Sequence, residues 1–436
     1  MALTDSPGPR RGWYHGWNIV AVSVLVQVVG MGLTVNAFSL FLKDWSADLH
    51  TPISTLQLSL LGLAVTAAIV SPIFGALADK FPARWLFFWG VIGIVGFHLA
   101  MGAVTAAWQL IAIYTLLIPV SLGAAGMVVA NAVVSRWFVR RAGLALGLTA
   151  FGLGMAGIVL PPIIAALPGV SWRAIWQGAG VITGVVVIPL VLLVVRDRPT
   201  ERDGLDYVNV TPAADAPSNG HAGSTAALTW LGVLKRRNFL LLLAVYLPIL
   251  ATYGGVAQNL APIAASQGFG KQAASYMLAI LGAAHVVGSL SFGMLSDRFG
   301  NRWPLFGLAL VAAAGALAAG LGHSFVVLGA GAAFVGLGAG IYTLLAAAIA
   351  AEFGAADFGR AYGLALFFIP LTALGPILTA KVQEMTGSYA PPLIGCAVAS
   401  LVGGVLALFM RERRMGKPSE QELGAAMVES ASAPGT

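Results

Sequence analysis

The chain has 436 residues, enough for two or three soluble domains, yet 58% of them are hydrophobic and only 9% charged, with a mean hydropathy of +0.87. Soluble domains carry charge on about a quarter of positions, so this balance excludes a soluble enzyme, a nucleic-acid binder and a disordered scaffold, and assigns the chain to a lipid bilayer. The single cysteine, Cys396, excludes an intrachain disulfide, a cysteine-based metal site and an iron–sulfur cluster, and the formal charge of +7 needs an explanation other than a polyanionic partner.

The N-terminal segment MALTDSPGPRRGWYHGW is polar and leads into an apolar stretch of about 26 residues with no small-residue cleavage site, so no removable signal peptide is expected. A helix needs about 20 apolar residues to cross the hydrocarbon. Twelve stretches meet this, over 17–42, 55–78, 85–105, 108–135, 142–167, 172–195, 238–264, 273–295, 304–322, 325–351, 360–382 and 390–410. Gly and Pro inside them, as in the GLGMAGIVLPP run over 152–162, are tolerated because neighbouring helices satisfy the freed backbone groups. Many small residues also mean close helix packing.

Orientation follows from the 24 Lys and Arg, which prefer cytoplasmic loops. Lys43, Arg173, Lys271 and Lys381 fall on one side of the spans, and all the other basic residues on the opposite side. Both termini and the loop between spans six and seven are therefore expected in the cytoplasm, with the chain multi-pass in the cell (inner) membrane. The +7 charge is then topology. Residues 196–237 are polar, rich in Pro, Gly, Ala and Ser, and read as a cytoplasmic linker. They divide the chain into a six-helix bundle over 1–195, a second over 238–414 and a cytoplasmic tail over 415–436.

An internal repeat supports this division. Gly75-Ala-Leu-Ala-Asp79-Lys80-Phe-Pro-Ala-Arg84-Trp85 follows span two, and Gly293-Met-Leu-Ser-Asp297-Arg298-Phe-Gly-Asn-Arg302-Trp303 follows span eight, every matched residue offset by 218, half the chain length. A looser echo joins Arg141-Ala-Gly-Leu-Ala-Leu-Gly to Arg360-Ala-Tyr-Gly-Leu-Ala-Leu. The fold expected is all-α, twelve transmembrane helices in two six-helix bundles related by a parallel repeat about the membrane normal.

The pattern G-x3-D-[RK]-x-G-x-[RK], repeated after spans two and eight of a twelve-span chain, resembles the hallmark of the major facilitator superfamily, with Pro82 replacing the usual Gly in the first copy. His15-Gly16-Trp17 opening span one, and Arg136-Trp137-Phe138-Val139-Arg140-Arg141 followed by Gly143-Leu144-Ala145-Leu146-Gly147, are similar to the monocarboxylate transporter and oxalate–formate antiporter branch. The resemblance implies a conformational latch at the cytoplasmic ends. Asp79 would face Arg360, Asp297 would face Arg140 and Arg141, and Gly75, Lys80, Arg84, Gly293, Arg298 and Arg302 complete the two motifs. Serving only as topology anchors is the other reading of these charges, but it leaves the repeated spacing unexplained.

Transporter sites lie near the midplane between the halves, yet all 17 Asp and Glu fall in loops or at helix ends, as do the Lys and Arg. His98 and His285 are the titratable groups other than tyrosine well inside a span. A polar group there is costly unless paired, which makes it a functional candidate. In proton-coupled monocarboxylate transporters this part of span eight carries an acid and, a turn later, an arginine; aligning on Gly293 and Asp297 puts His285 and Ser289 at those places. A basic residue expected in span one is also absent, at Thr34-Val35-Asn36. Protonated His285 would then serve as counter-charge and proton-coupling group; a neutral, packed histidine is the equal alternative. For His98, in span three, packing is the favoured role. Asn36, Tyr253, Gln258, Tyr342 and Thr372 join His285 as substrate-binding candidates, with Gln27, Gln57, Asn259 and Thr343 behind them. Trp13, Trp17, Trp108 and Trp172 read as interfacial anchors.

Proton-coupled drug exporters carry Arg-x-x-x-Gly in span four and Gly-Pro in span five, but Gly123 is preceded by Pro119 and Gly157 is followed by Ile158, which disfavours drug export. The function expected is secondary transport of small organic anions, monocarboxylates foremost, by alternating access with proton symport. A carrier for a neutral or weakly polar metabolite is the alternative, and a non-transporting receptor or scaffold on the same fold is the alternative of another class. No nucleophile–base pair, metal cluster or phosphate loop appears, so no enzyme, metal or cofactor is expected. The partners expected are the substrate, protons and lipid, with no nucleic acid, and the chain is expected to act as a monomer.

Overall fold

The computed structural model describes residues 14–138, 142–197 and 230–410. Twelve helices run α1 Gly16–Asn36, α2 Ile53–Ala78, α3 Ala83–Gly102, α4 Ala107–Val134, α5 Ala142–Ala165, α6 Trp172–Val194, α7 Arg237–Ala257, α8 Lys271–Ser296, α9 Arg302–Leu321, α10 Phe325–Phe353, α11 Ala361–Thr386 and α12 Ala390–Ala407. Among the described residues, all of these but α5 are long and apolar enough to cross a membrane on their own window of hydropathy, and α5 contributes the shorter apolar stretch Gly154–Ala165. The all-α, twelve-helix expectation is met. Because the helices alternate in direction, residues 14, 197, 237 and 410 gather at one end of the bundle, called here the termini end; the opposite end is the far end.

Apolar composition does not mark where helical geometry changes. The stretch 17–42 contains a π-helical turn at Gly32–Asn36, after which the chain continues as the helix Phe38–Asp48. The stretch 238–264 breaks at Gln258 and Asn259 before resuming as Leu260–Ser266. Within α10 a 3-10 turn spans Gly338–Gly340, and α11 is interrupted near Phe368 and Ala373, then runs past 382 to Thr386. Such interruptions survive in a bilayer only where neighbouring helices satisfy the released groups, and π turns recur at functional sites.

The two halves repeat their packing: α3 lies against α6 as α9 lies against α12, and α1 packs on α5 while α7 packs on α12 and α11. Between the halves the main contact is α5 against α8. There the backbones touch, since a Cβ placed on Gly282 would lie 2.9 Å from the carbonyl carbon of Gly157. Without a hydrophobic drive between helices in lipid, such small-residue contacts carry association. One apolar core runs continuously across both halves at the far end, through Phe41, Trp45, Leu56, Leu260, Ile263 and Leu278, whereas the C-terminal half has a separate core at the termini end around Phe239, Tyr246, Leu345 and Ile349. The halves are sealed together at the far end.

Candidate functional site

Two polar side chains meet in the middle of the C-terminal half. The Tyr253 hydroxyl on α7 is 3.2 Å from His285 Nδ1 on α8, with their rings edge to face at 5.9 Å. The hydroxyl can turn to donate to a neutral Nδ1 or accept from a protonated one, so the pair holds the ring in either state and leaves Nε2 for another partner. One turn before His285 lies Gly282, at the α5–α8 contact. The Asn36 carboxamide reaches the same place from the other half: its Oδ1 is 3.2 Å from the Cβ position of Gly157, and its Nδ2 donates to Met31 O at 3.3 Å within the π turn. The helix irregularity at Gly32–Asn36 is what turns this amide toward the inter-half contact.

Tyr342 on α10 is 39% exposed and edge-on to Tyr246, with ring centroids 6.5 Å apart. The structure thus brings Tyr253 and His285 together, with Asn36 beside the Gly157–Gly282 contact next to them. Gln258 is buried at the end of α7 with Oε1 unpartnered, and Thr372 is satisfied locally, donating to Ile369 O at 2.7 Å. His98 is buried on α3 against Phe97 and Trp176 inside the N-terminal half.

Residues behind the leading candidates prove more tightly engaged. Gln57 Nε2 donates to Asn259 Oδ1 at 2.7 Å across the halves, and Asn259 Nδ2 is fixed by Gly255 O at 2.8 Å and Pro376 O at 3.3 Å. Ser54 and Glu384, which the sequence does not single out, also bridge the halves. Trp172 departs from an interfacial anchor: it is 6% exposed and donates Nε1 to Asp48 Oδ2 at 2.9 Å, because the carboxylate ending the helix Phe38–Asp48 needs a donor and the ring fills the far-end core. Of the four basic residues on that side, Arg173 pairs with Asp48, Lys271 with Asp44 and Lys381 with Glu384.

Of the latch residues, Arg140 and Arg141 and the side chains of Asp79, Asp297 and Arg360 lie outside the described residues. Lys80 is exposed where the second helix ends. Arg84 Nε donates to Val195 O at 2.8 Å within its own half, while the Arg298 and Arg302 guanidinium groups lie over the rings of Phe299 and Trp303. A Cβ on Gly75 would meet only Val128 at 3.8 Å, whereas one on Gly293 would lie 3.1 Å from Thr343 Cγ2. The two motif turns also differ: Gly300 has φ +75° and ψ −173°, a conformation essentially reserved for glycine, while Pro82 sits at φ −58° and ψ 125°. Replacing Gly by Pro there gives a different turn, a larger change than a tight turn with one residue exchanged.

The stretches that carry the branch resemblance meet at the termini end. Trp17 lies tilted against Phe138 with centroids 4.7 Å apart, His15 lies 5.4 Å from Trp137, and the Tyr14 hydroxyl donates to Trp137 O at 2.5 Å. His15 Nε2 is 2.9 Å from Val194 O, Trp137 Nε1 donates to Arg196 O at 2.8 Å, and Arg136 donates to Ala78 O at 2.6 Å while pairing with Asp197 at 3.7 Å. Together these bonds tie α1, α2, α4 and α6 at one end.

The Major Facilitator Superfamily profile matches residues 22–284 and 251–430, together most of the chain. The chain belongs to this superfamily. It is accordingly a multi-pass membrane transporter and not an enzyme. Among curated relatives, Monocarboxylate transporter 11 of Mus musculus is 28% identical over 429 residues, covering 93% of this chain and 89% of that protein. Monocarboxylate transporter 12 of Mus musculus is 24% identical over 437 residues, covering 92% and 86%. The solved structure of a bacterial homologue of the human lysosomal transporter Spinster, inward-facing and unoccupied, superposes with a TM-score of 0.67 at 16% identity over 91% of this chain and 96% of that one, a likeness of fold. The superfamily fold accounts for the repeat of 218 residues.

Proposed function

We propose that this superfamily member is a secondary carrier of small monocarboxylates, working by alternating access with proton symport, and that the Tyr253–His285 pair is where proton and substrate meet. The 3.2 Å contact between Tyr253 Oη and His285 Nδ1 carries the reading. It leaves Nε2 of a protonated His285 as a charged donor for a carboxylate, with Tyr342 and Asn36 as neutral donors around it. Loss of that proton on the cytoplasmic side removes the counter-charge and frees the anion. The resemblance to monocarboxylate transporters supports the substrate class.

In this reading the termini end is cytoplasmic, as the distribution of Lys and Arg requires, the far end is the outer face of the inner membrane, and a structure sealed at the far end is the inward-facing state. The six-helix bundles over 1–195 and 238–414 rock as units joined by the 196–237 linker, the Asp79 and Asp297 motifs latch the cytoplasmic end in the opposite state, and one chain suffices. A carrier for a neutral metabolite is favoured by one observation: in the sequence every Lys, Arg, Asp and Glu falls in a loop or at a span end.

Uptake of radiolabelled monocarboxylates, dicarboxylates and neutral metabolites into proteoliposomes, with and without an inward proton gradient, tests this. Gradient-stimulated monocarboxylate uptake that His285→Gln makes insensitive to the gradient is the expected result. Uptake confined to neutral compounds overturns it in favour of the second reading.

A further inference from the structure

Among the described residues, three polar contacts join the halves at the far end, each less exposed than the last. At the rim, Lys271 Nζ at the start of α8 is 2.8 Å from Asp44 Oδ2, with side chains 40% and 42% exposed. Next, Glu384 near the end of α11 accepts from Ser54 twice, Oε1 from the backbone N–H at 2.9 Å and Oε2 from the hydroxyl at 2.8 Å. Deepest, Gln57 and Asn259 share a 2.7 Å bond, both fully buried.

These contacts differ in strength. An exposed ion pair such as Lys271–Asp44 contributes little, because water and salt screen it. The amide pair is neutral. Glu384 makes two charge-assisted bonds in a fork, the strong kind, and one goes to a first-turn N–H that has no partner within its own helix. Pro52 precedes that turn and offers no side-chain cap. The cap of α2 is therefore supplied by the other half. Lys381, 3.5 Å from Glu384 and 57% exposed, belongs to the same helix as Glu384 and stays with it when the halves part.

We infer that Glu384 is the principal lock of the outer gate: a carboxylate that caps α2 while the outer end is shut and must release Ser54 for that end to open. The inference rests on the alternating-access reading but not on the identity of the cargo. Spin labels at Ala47→Cys and His323→Cys, both exposed at the far end in opposite halves, in a Cys396→Ser background in nanodiscs, report the gate by their distance distribution. The native sequence at Glu384 is expected to give mainly the short distance. Glu384→Ala should move more than half of the population to longer distances, Ser54→Ala, which keeps the backbone bond, should move less, and Ser54→Thr and Asp44→Asn should stay close to the parent. An unmoved distribution in both Glu384→Ala and Ser54→Ala overturns the lock, as does an Asp44→Asn shift equal to that of Glu384→Ala. A parent distribution already centred on long distances removes the sealed outer state itself, and with it the reading beneath the lock.

Discussion

Gly157 and Gly282 touch backbone to backbone where α5 of one half crosses α8 of the other, so that even one added carbon on Gly282 would stand 2.9 Å from a main-chain atom. Asn36 Oδ1 is 3.2 Å from the Cβ position on the Gly157 side, and His285 follows three residues after Gly282. This backbone contact between the halves therefore lies beside the Tyr253–His285 pair, and a change in how the halves meet there bears on that pair.

Overfilling this contact is expected to act on turnover. Inserting methyl groups into a packed contact costs about 1–3 kcal/mol, here laid on the contact between the halves. Gly282→Ala should lower uptake several-fold, and Gly282→Val more than tenfold, at unchanged abundance in the membrane. Normal uptake in a well-inserted Gly282→Val protein would show that this crossing does not govern turnover.

Tyr253→Phe removes the hydroxyl that holds His285 while keeping the ring packed. A hydrogen bond of this kind contributes about 0.5–1.5 kcal/mol, so the half-saturating substrate concentration should rise roughly 2- to 10-fold by the same energy scale. His285→Gln keeps a polar group but cannot take up the proton at neutral pH, so uptake should lose its rise with external acidity. Both are read from initial rates between pH 5.5 and about 8, the range over which histidine changes charge. A retained pH profile in His285→Gln assigns proton coupling elsewhere.

Asn259→Ala would strand Gln57 Nε2 and take a donor from two buried carbonyls, Gly255 O and Pro376 O. An unsatisfied buried group costs about 1–3 kcal/mol, so a clear fall in thermal stability is expected in detergent. Gln57→Leu on the same background removes the stranded amide and should recover part of the loss. Strictly additive losses in the double variant would mean that the bond contributes no coupling.

Length of apolar runs and the 218-residue repeat made the architecture legible, because a bilayer allows so few backbone solutions. Tyr253 and His285 were legible as isolated polar residues in apolar spans. Their pairing was not, since nothing in a one-dimensional pattern brings Tyr253 on α7 to His285 on α8. Glu384 and Ser54 escaped notice for a related reason: they lie 330 positions apart, each at a helix end where polar residues are ordinary. The turns at Asn36 and Asn259 were hidden because an α-helix and a π turn or break share the same apolar composition. Trp172 looked like a belt residue from its position at a span end, yet it serves as a core ring and hydrogen-bond donor to Asp48.

Asp48 gives a pH effect whose sign can be worked out. Arg173 donates to its carboxylate, as does the Trp172 indole, and these hydrogen bonds hold the group below its ordinary value of 3.8, with the opposing effect of burial smaller. A carboxylate lowered in the folded protein adds stability at all pH above its unfolded value, and loses it as pH falls through the lowered one. The difference in melting temperature between the parent and Asp48→Asn should therefore be constant from pH 8 to about 5, then shrink below about pH 4, where an unfolded Asp begins to hold its proton. Taking the difference cancels the carboxylates that the two proteins share. A gap that widened in acid would reverse the sign and show that Asp48 is stabilised in its neutral form.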